Sequence, residues 1–356
     1  MKPFELQQLE EVGFFSRLLS GKPTGNGWKE VNNILADAND AFALSEAALA
    51  AALKKWGAKM DEESMEQRSS MYRKFADVAY AEASSLEDTL LAQCQHLAAV
   101  LQLPPHLVKL AEKGAKTAAY FTRCGKILTD EEKLTINEIN SLFGYDYEDG
   151  LSIRKQVFQN HFNMAFEDYS KARRFSPEQE EGLRKDCQLL DIPYEFKNNI
   201  QHALDHFREL WKAENGELGT VDVDLPLKEG EICRAYANAG LCQKQMVERE
   251  DNYFELTRKF NMDETVSFKG EKLEHPKIKE EVTAVLDVGY FFITNQRCIY
   301  LSEKEAFGIP FTNITNIAFD GTNEVTFTTK KEDILFKFSD DAAEVVYLLF
   351  KRIAGM

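Results

Sequence analysis

The chain has 356 residues, of which 44% are hydrophobic and 29% charged, with a formal net charge of −16. That length holds two or three domains of ordinary size, and the mix is that of a globular protein. The charge, −4 from residue 264 onward and −12 before it, argues against general nucleic-acid binding and against adhesion to anionic lipid by bulk charge.

The opening residues, MKPFELQQLEEVG, have neither a basic n-region nor an apolar h-region, so no secretory signal is expected. Phe4–Leu19 carries apolar residues at helical spacing and predicts a first helix, closed by the Gly/Pro-rich loop 21–27. Trp28–Trp56 is rich in Ala and predicts more helix up to Gly57. Asp61–Leu103 predicts one long helix or two with a bend, stopped at Pro104-Pro105. Residues 89–108 lack Asp, Glu, Lys and Arg, but Gln93, Gln95, His96, Gln102 and the proline pair mark a helix end in water, not a membrane span. A further helix is expected over His106–Arg123. Cysteines 94, 124, 187, 233, 242 and 298 form no C-x-x-C. They are expected to be buried thiols in a reducing cytoplasm.

Two segments 47 residues apart resemble one another. Thr129-Asp130-Glu131-Glu132 and Ser176-Pro177-Glu178-Gln179 each follow a hydrophobic residue, offer a hydroxyl N-cap and place Glu or Gln three positions later, the pattern of a capping box. Apolar positions align as well: Ile136 with Leu183, Leu142 with Leu189, Phe143 with Leu190. Helices over Leu151–Arg174 and Tyr194–Ala213 complete this part. On these caps, residues 120–213 resemble the all-helical tellurite-resistance type of domain. The resemblance implies a stress-response or toxicant- or phage-defence setting. It also raises metal binding or hydrolysis by the helices as an alternative function, but no ligand positions match one to one, so no metal site is carried over.

The pattern changes at residues 214–219. Val221–Leu225 alternates with period two and predicts a strand; Gly230–Tyr236 is the next candidate. From about Glu264 short β runs follow one another, with turns at 320–323 and 330–333. Ser339 is expected to N-cap a final helix, whose dipole is suited by Asp340 and Asp341 at its start and Lys351 and Arg352 in its last turn. Phe292–Tyr300, FITNQRCIY, and Ile309–Ile317, IPFTNITNI, are similar to the hairpin and the I-P run of bacterial pleckstrin-homology-like and GRAM-type domains. The resemblance implies a β-barrel or sandwich over 222–356 with a C-terminal capping helix. The expected fold class is therefore α+β and multidomain: a helical region 1–119, a helical domain 120–213 and a β domain 222–356.

Few residues point to chemistry. His202 and His206 have metal-binding spacing, but the residue after His202 is Ala, so the general base of H-E-x-x-H is missing. Asp146–Gly150 fails as a calcium loop because its Gly is one position early. No phosphate-binding or nucleophile-elbow motif occurs, so no catalytic residue, cofactor or metal is expected, and the chain is expected not to be an enzyme. Arg297 is expected to close its turn by bonding carbonyls. Lys269, Lys272, Lys277 and Lys279 form the densest basic stretch of the β domain, but Glu271, Glu274, Glu280 and Glu281 interleave with them. Tyr290, Phe291 and Phe292 cannot all face one side of a strand, so at least one ring must be displayed or covered by another element. The expectation is a protein-binding or scaffold protein that docks a partner through its β domain along an exposed edge. A sensor of anionic lipid is the alternative, and self-association through 61–103 is open.

Overall fold

The computed structural model describes residues 3–11, 23–38, 40–82, 88–250, 277–339 and 341–356. The class is α+β: among the described residues there are ten α-helices and one seven-stranded antiparallel sheet. The helices are α1 (Gly25–Ala38), α2 (Glu46–Trp56), α3 (Met65–Glu82), α4 (Asp88–Val100), α5 (Pro105–Leu128), α6 (Ile136–Phe143), α7 (Tyr147–Ala172), α8 (Pro177–Leu189), α9 (Asn198–Asn215) and α10 (Ala342–Ala354). The strands are β1 (Cys233–Glu250), β2 (Lys277–Thr294), β3 (Arg297–Ser302), β4 (Ala306–Pro310), β5 (Ile314–Phe319), β6 (Glu324–Thr329) and β7 (Asp333–Phe338). The chain divides into two compact units, residues 1–168 with 178–195, and residues 169–177 with 196–356. The second takes in α9, which the sequence groups with the helical part.

In the first unit, Ala111, Ala115 and Ala119 line one stripe of α5 and are buried. Their small side chains let α3 lie along α5, bringing in Tyr72, Phe75 and Ala76, also buried. Pro105 begins α5 at N1, where its missing N–H is no loss. Arg68, buried, donates to Leu101 O (3.0 Å) and Asp61 O (2.8 Å), so it satisfies a carbonyl left free where α4 ends.

Several expected boundaries move, each for a local reason. Residues 4–11 are not helical, because asparagine side chains of α1 take up their backbone groups; the rest of the expected Phe4–Leu19 helix lies outside the described residues. Thr129 does not N-cap a helix. It ends α5, with its hydroxyl donating to Lys126 O (3.2 Å). The capping box forms six residues later, where Thr135 accepts from Glu138 N and Glu138 accepts from Thr135 N (2.7 Å). The second of the paired helices does begin at Pro177, directly after Ser176. Val221–Leu225 is not a strand; β1 starts at Cys233 instead. Ser339 does not cap α10 either: the helix begins at Ala342, and Ser339 contributes only its carbonyl, to Ala342 N (2.9 Å).

The sheet runs β4-β3-β2-β1-β7-β6-β5. Its inner side is aromatic. Phe291 packs on Phe336 (4.8 Å between ring centroids), Phe327 (5.3 Å) and Phe338 (5.5 Å). The apolar stripe of α10 closes this core, with Phe350 edge-on to Phe327 (5.2 Å) and Phe311 (5.4 Å). The other side of α10 meets α9. There Glu344 receives Arg173 (2.6 Å), Arg174 binds Glu214 (2.7 Å), and Arg352 donates to Ala213 O (3.3 Å) at the end of α9. All six cysteines are buried and unpaired. Burial pushes the Cys94 and Cys124 thiols up to about 12, so neither is a nucleophile near neutral pH.

Candidate functional site

Period-two alternation decides which side chains β1, β2 and β3 turn outward. The register pairs Tyr236 with Phe292 and Asn238 with Tyr290 across β1–β2. It pairs Phe292 with Ile299 and Tyr290 with Leu301 across β2–β3. Two outward rungs result, Tyr236–Phe292–Ile299 and Asn238–Tyr290–Leu301, with Val288 one step along β2. Tyr236 is 57% exposed, Tyr290 50% and Val288 69%, while Phe292 is 8% exposed. The rings explain that contrast. Tyr236 stacks on Phe292 at 5.9 Å and Tyr290 tilts against it at 6.3 Å. Two amphipathic rings thus cover a third and present themselves to solvent. Beside them lies a cleft of about 740 Å³ lined by Asn238, Val288, Tyr290, Leu301, Ser302 and Lys304 among others.

Of the expected triplet, Phe291 is core, Phe292 is outward and covered, and Tyr290 is outward and displayed. Tyr236 and Val288, missing from the sequence-based set, complete the surface. Tyr236 carried a usable signal, since it ends the strand candidate Gly230–Tyr236, but its partner on β2 is far along the chain.

Gly289 makes the β2–β3 contact possible. A Cβ there would lie 2.3 Å from Leu301 O, so only glycine lets the strands close at this rung. Beyond it the two longest strands leave the sheet. β7 pairs with β1 only over Ala239–Cys242, and β3 with β2 only over Gly289–Ile293. Gln243–Glu250 and Lys277–Ala284 therefore pair with each other alone among the described residues, as a two-stranded ribbon. Met246 (64%) is exposed on it, and Val285 (50%) and Leu286 (49%) are exposed at the bulge where it joins the sheet.

The turn between β2 and β3 is a structural device. Glu231 is buried, and Arg297 holds it through Nε to Oε1 (2.8 Å) and Nη2 to Oε2 (3.1 Å). Thr294 donates to Oε1 (2.8 Å) and Lys228 N to Oε2 (2.9 Å). Asn295 accepts from Ile232 N (2.9 Å) and donates to Gly230 O (3.1 Å). Thr294, Asn295 and Arg297 thus fasten the segment that leads into β1. Arg297 binds a carboxylate rather than the carbonyls expected of it. Burial by itself would raise the Glu231 carboxyl, but the Arg297, Lys228 and Thr294 donors outweigh it and bring it down to about 2.

Of the lysine cluster, only Lys279 has its side chain among the described residues. Lys269 and Lys272 lie outside the described residues, as does the side chain of Lys277. Lys279 faces Glu248 at 3.8 Å, and neighbouring Lys244 binds Glu281 at 3.1 Å. His202 is exposed, whereas His206 sits between Arg173 (3.4 Å) and Asp341 (3.6 Å). Among the described residues no three His, Cys, Asp or Glu side chains gather as metal ligands, and no helix is long and apolar enough to cross a membrane. Comparison with protein-family models, curated proteins and solved structures finds no match to this chain.

Proposed function

We propose that the chain is a non-enzymatic binding protein that docks a protein partner on the outer face of β1, β2 and β3. The observation that carries this reading is the contiguous display of Tyr236, Val288 and Tyr290 beside a cleft. Single exposed apolar residues are ordinary on a protein surface; a connected aromatic and aliphatic patch on a sheet face is not. Tyrosine suits such a face, because its ring supplies contact area at small entropic loss and its hydroxyl tolerates water between encounters. The net charge of −16 disfavours nucleic acid, and the carboxylates paired with Lys244 and Lys279 disfavour anionic lipid. The seven-stranded antiparallel sheet with α10 against its core supports the pleckstrin-homology-like reading. The stress-response or defence setting implied by the helical resemblance belongs to the same proposal.

The full chain with Tyr236→Ser, Val288→Ser and Tyr290→Ser tests it. The three side chains are half or more exposed, so thermal unfolding should move by no more than about 2–4 °C, the shift of roughly 1 kcal/mol in a domain of this size. A tagged wild-type chain is expected to retain a discrete protein from extract of its native cells, and the variant at least tenfold less. Equal retention by the folded variant would remove the basis for assigning the face.

A further inference from the structure

We propose that α1 is a clamp for the backbone of an extended peptide, and that residues 4–10 of the chain are its resident occupant, which a partner peptide of the same form can replace. This concerns the helical unit and stands independently of the sheet face. Asn26 accepts from Glu10 N (2.9 Å) and donates to Glu10 O (3.0 Å). Asn33 does the same for residue 7, accepting from Gln7 N (2.7 Å) and donating to Gln7 O (2.8 Å). Asn32 donates to Glu5 O (2.7 Å). Each of the two amide side chains reads both backbone groups of one residue, as a neighbouring strand would.

The spacing fits the task. Seven residues of α-helix rise about 10.5 Å, and three residues of extended chain span about 10 Å. Asn26 and Asn33 therefore meet residues 10 and 7 in register, with the helix and the segment running antiparallel. Asn26 and Asn32 are buried. Asparagine is a poor residue for a helix interior, yet Asn32 and Asn33 lie inside α1 and, with Asn26 in its first turn, bond the same segment. The occupant is recognised mainly by backbone. Leu6 is 68% exposed and Gln7 is exposed. Two side chains add selectivity: Phe4, buried at 4% exposure, and Glu10, whose carboxylate meets Lys29 at 2.8 Å. The partner this clamp accepts is thus an extended peptide with an aromatic anchor and a carboxylate six positions later. A tethered segment competes at an effective concentration in the millimolar range, so the site is closed to weak ligands until the segment is loosened.

The experiment uses the full chain and a dye-labelled synthetic peptide of residues Pro3–Glu11, read by fluorescence anisotropy. Gln7→Pro removes the N–H given to Asn33 and changes no buried side chain, so far-UV circular dichroism should be unaltered. The Gln7→Pro chain is expected to bind the labelled peptide at least tenfold more tightly than wild type. Adding Asn33→Ala should reverse that gain, and an unlabelled peptide with proline at the Gln7 position should fail to compete. Equal binding by wild type and Gln7→Pro, or indifference to Asn33→Ala, would overturn the proposal. So would a mass measurement showing that the wild-type chain is a dimer and Gln7→Pro a monomer, which would give the clamp to the segment of a second copy.

Discussion

Replacing Arg297 by alanine will destabilise the sheet unit by about 3–5 kcal/mol, the usual result of stranding one partner of a buried ion pair. Glu231 has a fully buried side chain and would keep its charge or its desolvation penalty with two donors gone. The measurement is native-state hydrogen exchange of the β2 and β3 amides, where that loss appears as a drop in protection of at least about 100-fold. The double variant Glu231→Ala/Arg297→Ala should lose less than the two single variants together, because no buried charge remains unpaired. The same pair sets a pH dependence. The folded carboxyl is held at about 2, below its ordinary value near 4.5. Its contribution, ~3 kcal/mol at 1.36 kcal/mol per unit, is therefore complete above about pH 5 and lost as pH falls through 4.5 toward 2. Arg297→Ala should flatten that part of the acid-unfolding curve. Unchanged protection in Arg297→Ala would mean that the turn does not depend on the pair.

Gly150→Ala should destabilise the helical unit by roughly 2–4 kcal/mol, where the same exchange inside a helix ordinarily stabilises by about 0.5–1 kcal/mol. Gly150 lies in the first turn of α7. A Cβ there would stand 2.5 Å from the Tyr120 hydroxyl, 2.7 Å from Arg154 Nη1 and 3.0 Å from Asn140 Oδ1. These atoms form one buried network. Arg154 donates to Tyr120 Oη (3.0 Å) and Asn140 Oδ1 (3.4 Å), Tyr120 donates to Asn140 Oδ1 (2.7 Å), and the guanidinium sits 4.9 Å from the Tyr147 ring centroid. Arg154 is wholly buried, and no carboxylate pairs with it among the described residues, so neutral oxygens and one ring carry the whole of its charge. Buried networks of this kind lose heavily when one member is displaced. Gly114→Ala and Gly125→Ala on α5 are the controls, since nothing lies within 4 Å of either Cβ; both should be neutral or stabilising in thermal unfolding. A stabilising Gly150→Ala would show that the network tolerates displacement.

What the sequence reveals of this fold is its local part. The β2–β3 hairpin is legible because alternation and a polar turn are both short-range signals. So is Pro177 at the start of α8. Thr129 misleads because it and Thr135, six residues apart, each precede an acid at the third position; which one caps is settled by where α5 runs out. The strand β1 is obscured by Ala237-Asn238-Ala239-Gly240, a run with little β preference that β2 holds in place throughout and β7 from Ala239 onward. Phe4–Glu11 has helical periodicity, but the asparagines that extend it are 16 to 27 residues further along. The candidate face is half legible. Three consecutive aromatics force one ring outward, which points to Tyr290. Tyr236 joins it only through a register set by strands that start more than 40 residues apart. Arg297 shows the same limit, since its partner Glu231 is 66 residues away.

Photo-crosslinking from the sheet face tests the central claim most directly. A benzophenone amino acid replaces Tyr290 or Tyr236 in the full chain, expressed in its native cells, with the exposed turn residue Lys331 as the control position. The account predicts one discrete protein adduct of the same mass from positions 290 and 236 and none from 331. No adduct from either tyrosine position, or the same adduct from 331, would contradict it.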